Sequence, residues 1–336
     1  MQLNNFLLTI ARVACVLALI VIVLGAYVRL SDAGLGCPDW PGCYGNLFVP
    51  DNVRQIKEGN VAYPERPFEQ AKAWKEMAHR YAASILGLLI MIMAFAAWMK
   101  SQFSNLRLFS TALLGLVIFQ GLLGMWTVTL LLKPVIVMSH LLGGLTILSL
   151  LYWMTLRQQS KQGVFVSAGN RKLLPLAIIA LIVLTLQISL GGWISSNYAA
   201  LACPDFPTCQ GVWWPNMDFN EGFILWRGLS VDYEGGVLHG SARTAIHMAH
   251  RIGAVIAFIT ILLIAIQAII SGMKQLRLTG FVALILLLTQ VSLGISIVMF
   301  HLPLSVAVLH NGVAALLLLS LVTLLHHCLP ENKSEK

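Results

Sequence analysis

Charge is scarce in this sequence, and acidic charge scarcer still. Only 11% of the 336 residues are Asp, Glu, Lys or Arg, against 58% hydrophobic residues, and the mean hydropathy is +0.80. One soluble core cannot hide that much apolar surface, so the shortage excludes a soluble globular protein and makes lipid the solvent. Acids are missing altogether from the short connectors 100–107, 157–172 and 271–277, which carry Lys100, Arg107, Arg157, Lys161, Arg171, Lys172, Lys274 and Arg277. By the positive-inside rule those connectors are expected in the cytoplasm. Twelve of the fourteen acids crowd into the long connectors 32–76 and 205–234. Those two are expected on the outer, periplasmic side of a bacterial inner membrane, with both chain termini cytoplasmic. The net charge of +8 then reads as topology and attraction to anionic lipid, and no nucleic-acid partner is implied. A cleavable presequence is not expected either, since the first apolar run begins at Phe6.

Eight stretches are long enough to cross about 30 Å of hydrocarbon: residues 6–28, 81–99, 108–132, 134–156, 173–194, 252–270, 278–300 and 302–325. None is broken by an internal Gly-Pro pair, which argues against a transporter with discontinuous helices. The expected fold is an all-α integral membrane protein of eight transmembrane helices, built as two tandem four-helix bundles spanning 1–160 and 173–328. Four is even, so both halves enter the membrane in the same sense, related by a pseudo-twofold along the membrane normal.

A repeat supports that division. Glu76-Met-Ala-His-Arg80 returns as His247-Met-Ala-His-Arg251, and Cys37-Pro-Asp-Trp-Pro-Gly-Cys43 as Cys203-Pro-Asp-Phe-Pro-Thr-Cys209. Gln120, Gly124 and His140 match Gln290, Gly294 and His310. The offset is 166 at the cysteines and 170 or 171 at the glutamines and histidines. So steady a spacing over chemically distinct residues marks a duplicated unit of half the chain.

In an oxidising outer compartment each cysteine loop is expected to close a disulfide, and the repeat favours Cys37 with Cys43 and Cys203 with Cys209 over the other pairings. A bridge over so short a loop stabilises less than the roughly 3 kcal/mol of a 15-residue loop. A structural staple and a redox role both remain open. Cys15 and Cys328 have no evident partner.

On a helix Glu76 and His79 share a face, as do His247 and His250. A lone interfacial histidine is usually a solvated or hydrogen-bonded residue. His140 and His310, however, lie well inside apolar spans, where an ionisable side chain marks function. Each half thus places one histidine at the outer end of its second span and one within the outer part of its fourth, and those spans run in the same direction. In a four-helix bundle such a pair can point inward at similar depth. The arrangement suits bis-histidine ligation of a haem iron by His79 with His140 and by His250 with His310. Zinc or copper would need further nitrogen or sulfur ligands in each half. Arg80 and Arg251 sit at the interface, where a guanidinium can hold a haem propionate or snorkel to headgroups. Arg29, in a Gly-rich lead into the first cysteine motif, is open to the same two readings. Gln120, Gly124, Gln290 and Gly294 read as helix-packing residues, and Trp126, Trp153 and Trp193 as membrane-belt residues.

Taken together, the eight spans in two halves, Cys37-Pro-Asp-Trp-Pro-Gly-Cys43, the Glu-x-x-His-Arg of residues 76–80 and the single histidines of alternate spans resemble the haem A synthase family. The resemblance covers about 12–326. It implies oxidation of the C8 methyl of haem O to a formyl group through a hydroxymethyl intermediate, with haem B as electron-transfer cofactor. It further implies that His79 and His140 face haem O, that His250 and His310 ligate haem B, and that Glu76 is the catalytic carboxylate. Implied partners are the farnesyltransferase that makes haem O, the assembly machinery of cytochrome oxidase and an electron donor; a homo-oligomer is compatible with the sequence, which specifies no contact face. The repeat independently supports the asymmetry, because His247 stands where Glu76 stands in the first half. A di-haem, quinol-oxidising cytochrome b would use the same histidines with neither haem altered. A thiol-disulfide oxidoreductase would use the cysteines and leave the histidines unexplained.

Overall fold

The computed structural model describes residues 2–99, 106–161 and 170–329; Lys100 lies outside the described residues. No strand occurs among them, and ten helices do: α1 (Gln2–Leu30), α2 (Val53–Ala62), α3 (Gln70–Met99), α4 (Arg107–Thr129), α5 (Pro134–Lys161), α6 (Leu174–Ser196), α7 (Phe219–Gly222), α8 (Gly240–Ile270), α9 (Lys274–Met299) and α10 (Leu304–Cys328). All but α2 and α7 are long and apolar enough to cross a membrane. In lipid a backbone has no water to bond, so each crossing segment must satisfy its own amides, and a helix does that locally. α3 and α8 start 11 and 12 residues ahead of the apolar runs at 81 and 252, so each repeated histidine–arginine motif lies on the same continuous helix as the apolar run that follows it. The short α2 was not legible in the sequence. It is capped by the Asn52 side chain, which accepts from the Gln55 N–H at 3.0 Å, and it lies in the connector between α1 and α3.

Helix neighbours repeat with the sequence. In the first half α1 packs on α3 and α5, and α4 on α3 and α5; in the second α6 packs on α8 and α10, and α9 on α8 and α10. The halves meet through α5 with α6, α1 with α10, and α5 with α10. Exchanging the halves maps each of these contacts onto another or onto itself, as a twofold relation requires. The duplication reaches the backbone too. Left-handed residues follow α1 and α6 at Asp32 and Tyr198, and join α4 to α5 at Leu131 and Leu132 as they join α9 to α10 at His301 and Leu302.

The main buried cluster lies in the half of the bundle on the side of the chain termini, with smaller clusters beneath the long connectors at the other end. It runs through Ala11, Ala14, Ala18, Ile90, Leu148, Leu151, Ala177, Ala180, Ile261, Ile264, Ala265, Ala268, Ala283, Leu317 and Leu321. Small residues let helices approach without a hydrophobic force to drive them together. Gly280 of α9 is one close approach against backbone: a Cβ there would lie 2.8 Å from the Ala265 carbonyl oxygen and 3.0 Å from the Ala268 Cβ on α8. Gly87 of α3 faces open space. Gly280→Val is therefore expected to destabilise the detergent-solubilised protein by about 1–3 kcal/mol, and Gly87→Val to leave it nearly unchanged, read as thermal loss of helical circular dichroism.

Candidate functional site

Each cysteine loop folds into a hairpin. Cys43 and Asn46 exchange backbone hydrogen bonds of 2.7 and 3.1 Å, and Cys209 and Val212 bonds of 2.9 and 3.2 Å. The two residues between them have positive φ, Tyr44 and Gly45 in one loop, Gln210 and Gly211 in the other, which is what a tight two-residue hairpin turn demands. An aspartate braces each turn. Asp39 accepts from the N–H groups of Tyr44 at 2.6 Å and Gly45 at 2.8 Å, and Asp205 from those of Gln210 and Gly211. A further bond from the Thr208 hydroxyl holds the Asp205 carboxyl below the usual carboxylate range. Burial pushes the Tyr44 phenol up to about 12, so it stays a neutral donor to the Arg66 carbonyl at 3.0 Å. Both expected disulfides are present, with S–S distances of 1.97 and 1.96 Å; Cys15 and Cys328 are free thiols.

The hairpins are tied to the helices by the arginines of the repeated motif. Arg80 on α3 donates from Nη1 to the carbonyls of Asp39 at 2.9 Å and Gly42 at 2.6 Å. Arg251 on α8 donates to Thr208 at 2.7 Å and Asp205 at 2.6 Å. Both guanidinium groups thus engage the loops. Glu76 makes the first clasp different. It is only 4% exposed, accepts from the Cys37 N–H at 2.8 Å through Oε2 and from Arg80 Nη2 at 2.5 Å through Oε1. In the second half His247, also buried, sets Nδ1 3.0 Å from the Ala199 carbonyl. The carboxylate therefore joins helix, arginine and disulfide in one half only.

One turn below, the four histidines come into register. In α5 all ten residues 135–144 are partly exposed, and in α1 all seven residues 21–27. Runs of that length cover every direction around a helix, so the inward faces are accessible as well as the outward ones. At histidine depth α1 and α5 are thus loosely covered, whereas below it the helices pack closely. The His79 and His140 rings lie edge to face with centroids 6.5 Å apart, and the Nδ1 atoms of His79, His140 and His310 are buried without a hydrogen-bond partner.

Every one of these rings rests against a glycine of the neighbouring helix. A Cβ added to Gly25 on α1 would lie 3.0 Å from His79 Cε1; Gly124 on α4 would reach His140 Cε1 at 3.4 Å, Gly191 on α6 His250 Cε1 at 3.3 Å, and Gly294 on α9 His310 Cε1 at 3.2 Å. Glutamines complete the setting. Gln120 donates to the His140 carbonyl at 3.1 Å, Gln290 lies 3.1 Å from His310 Nε2, and Gln187 lies 3.0 Å from His250 Nδ1.

This setting fits a haem. Among the described residues no three His, Cys, Asp or Glu side chains gather as a metal cage, so a metal bound here must bring its remaining ligands with it, as a tetrapyrrole does. Two metal–imidazole bonds of about 2 Å each, plus the ring radii, span roughly the separation seen between His79 and His140.

The family model for cytochrome oxidase assembly proteins, COX15-CtaA, matches residues 9–322. The chain belongs to that family. It is 48% identical to a protein named heme A synthase from Shewanella oneidensis over 313 residues, 93% of this chain and 94% of that one. Further proteins of that name, from Halalkalibacterium halodurans and a Caulobacter species, are both 26% identical, over 90% of this chain and 90% of the first relative, and over 93% and 92% for the second. Family membership makes the haem fit more than geometric, and it turns attention to what the residue patterns did not disclose. The glycine notches were missed except as packing residues, although Gly25 and Gly191 obey the offset of 166. Gln187 was missed because Val21 occupies its place in the first half. Trp193, expected in the membrane belt, is instead buried, donating to the Gly222 carbonyl at 2.9 Å and stacking on Phe223, because the connector between α6 and α8 folds down over α6. Arg29 bridges the halves, donating to the Ser195 carbonyl at 2.6 Å with its guanidinium over the Tyr198 ring.

Arg80→Ala removes the counter-ion of a buried carboxylate and is expected to cost about 3–5 kcal/mol, whereas Arg251→Ala loses only bonds to neutral carbonyls and is expected to cost about 2 kcal/mol. Thermal unfolding in detergent checks the difference, and adding Glu76→Gln should recover part of the Arg80→Ala loss alone. Gly25→Val is expected to lower haem content by displacing the His79 ring, while Gly121→Val on α4, which meets nothing within 4 Å, should leave the haem spectrum of the purified protein unchanged.

Proposed function

We propose that the chain is a haem A synthase, converting the C8 methyl group of haem O to a formyl group by two successive hydroxylations, through a hydroxymethyl intermediate and a geminal diol that loses water. The observation that carries this reading is the His79 and His140 pair beneath a buried carboxylate, set against a second histidine pair that lacks one. Haem O is bound in the N-terminal half, 1–160, and haem B in the C-terminal half, 173–328, the two related by a pseudo-twofold along the membrane normal. When bound, haem supplies the oxidising power and the electron relay. His79 and His140 would hold the substrate, their rings resting against Gly25 and Gly124. His250 and His310 hold haem B, braced by Gln187 and Gln290. Glu76 carries a proton at the substrate site, and the donors on its two oxygens keep it aimed.

A strap from the second half covers the ends of two helices of the first. Lys133, buried at the start of α5, donates to the Gly228 carbonyl and lies 3.5 Å from the centroid of the Trp226 ring; Arg66 pairs with Asp232 and Glu234 at 2.6 Å each. These contacts lay residues 226–234 over the outer ends of α4 and α5, the helices of Gly124 and His140. The lysine and arginine pattern supports termini in the cytoplasm and cysteine loops on the periplasmic side. Partners on this reading are the farnesyltransferase that supplies haem O, the assembly factors of cytochrome oxidase and an electron donor.

Extraction and mass analysis of the haems that co-purify from cells producing haem O tests this. The native chain is expected to carry haem B with haem A or its hydroxymethyl precursor. Glu76→Ala and His140→Ala should keep haem B and lose the oxidised products, and His250→Ala should lose haem B. Two unmodified haem B groups on the native chain would overturn the reading in favour of a plain electron carrier.

A further inference from the structure

The two outer connectors hold twelve of the fourteen acids, yet residues 40–50 and 206–217, from just past Asp39 to Asp51 and from just past Asp205 to Asp218, contain no charged side chain. Both segments include the tip of a disulfide hairpin, and both expose an apolar pair immediately after it. Leu47 and Phe48 are 76% and 69% exposed, Trp213 and Trp214 72% and 70%. Duplicated exposure of this kind, fixed by a covalent bridge, marks a contact surface.

We propose that the two hairpins are membrane feet, inserting Leu47, Phe48, Trp213 and Trp214 into the boundary between headgroups and acyl chains of a phospholipid leaflet. Depth carries the argument. The Phe48 ring centroid lies 6.2 Å from that of Tyr81, and Tyr81 opens the apolar run 81–99, whose length of 19 residues matches a hydrocarbon layer of about 30 Å. Phe48 therefore stands where hydrocarbon begins. The second tip takes the same depth, because Arg251 grips the carbonyls of Asp205 and Thr208 as Arg80 grips those of Asp39 and Gly42. Tryptophan is the side chain best suited to that boundary, and the lack of charge in both tips removes the cost of burying an ion there. The feet stand independently of the haem chemistry. They fix the height of the hairpin, and through Arg80 the height of Glu76, relative to the bilayer.

The full chain in lipid nanodiscs tests this by tryptophan fluorescence, comparing the native protein with Trp213→Phe/Trp214→Phe after mass analysis confirms both disulfides. Phosphatidylcholine brominated close to the headgroup is expected to quench the native protein more, the bromine-quenched emission of the variant falling by about a fifth, the share of two among nine tryptophans. Aqueous iodide should quench both proteins alike. Adding Phe48→Trp to the variant should restore bromine quenching from the first hairpin. Iodide quenching of the pair without bromine quenching would place the tips in water and overturn the proposal. Protection from both quenchers would overturn it too, assigning the tips to a protein contact, with a second copy or another chain.

Discussion

The joint on which the outer half of the molecule depends is a guanidinium bound to loop carbonyls. Arg80 and Arg251 each follow a histidine directly, so the side chain that grips the hairpin and the side chain that rests on the glycine leave the same turn of helix in different directions. The register between loop and histidine is thereby fixed by one residue step. Carbonyls are good partners for this purpose: they give a cation several acceptors without adding a charge that lipid would penalise. The disulfide keeps those carbonyls converged, and the aspartate inside each hairpin holds the turn that brings them round.

Against that shared scaffold the asymmetry between halves becomes interpretable. A duplicated unit begins with two equivalent sites, and any difference between them is a departure from a common design. Glu76 against His247 puts a carboxyl with a counter-ion in one half and an imidazole beside a neutral carbonyl in the other. Val21 against Gln187 runs the opposite way, giving His250 an amide that His79 lacks. The strap is a third difference, since Lys133 and Arg66 reach across to the second connector and cover the first half only. The buried carboxyl and the strap fall in one half, and the glutamine beside the ring of the second-span histidine falls in the other.

Much of this was legible in the sequence because lipid simplifies the code. Crossing segments must be helical and apolar, so their number and approximate limits follow from composition, and histidines stand out against such a background. The disulfide pairs were legible from the repeat. Glycine notches were not, because a glycine in a membrane helix has many uses and only the neighbouring helix shows which one applies. Helix α2 escaped notice since it is only ten residues long and polar on average, lying in a connector rather than in an apolar run. Trp193 misled because an indole near a span end is read as a belt residue, whereas long-range folding of the connector had already buried it. Arg80 and Arg251 were placed at the right height, but their partners lie some forty residues earlier in the chain, beyond any local pattern.

The division of the bundle into a closely packed half and a loosely covered half has an energetic consequence. Leucine, isoleucine and alanine packing on the side of the termini holds the eight helices without help from a ligand. Around the histidines the helices instead leave space, with glycines in place of side chains that would fill it, so that contacts are forfeited there. A large flat ligand restores those contacts when it enters, and its binding must stabilise the fold by mass action in proportion to its affinity. A site that has to release its product cannot take too much of its stability from the occupant. On the proposed reading the packed half lets the first site exchange its ligand without loosening the bundle; in the second half Gln187 and Gln290 lie against His250 and His310 and restrain both rings.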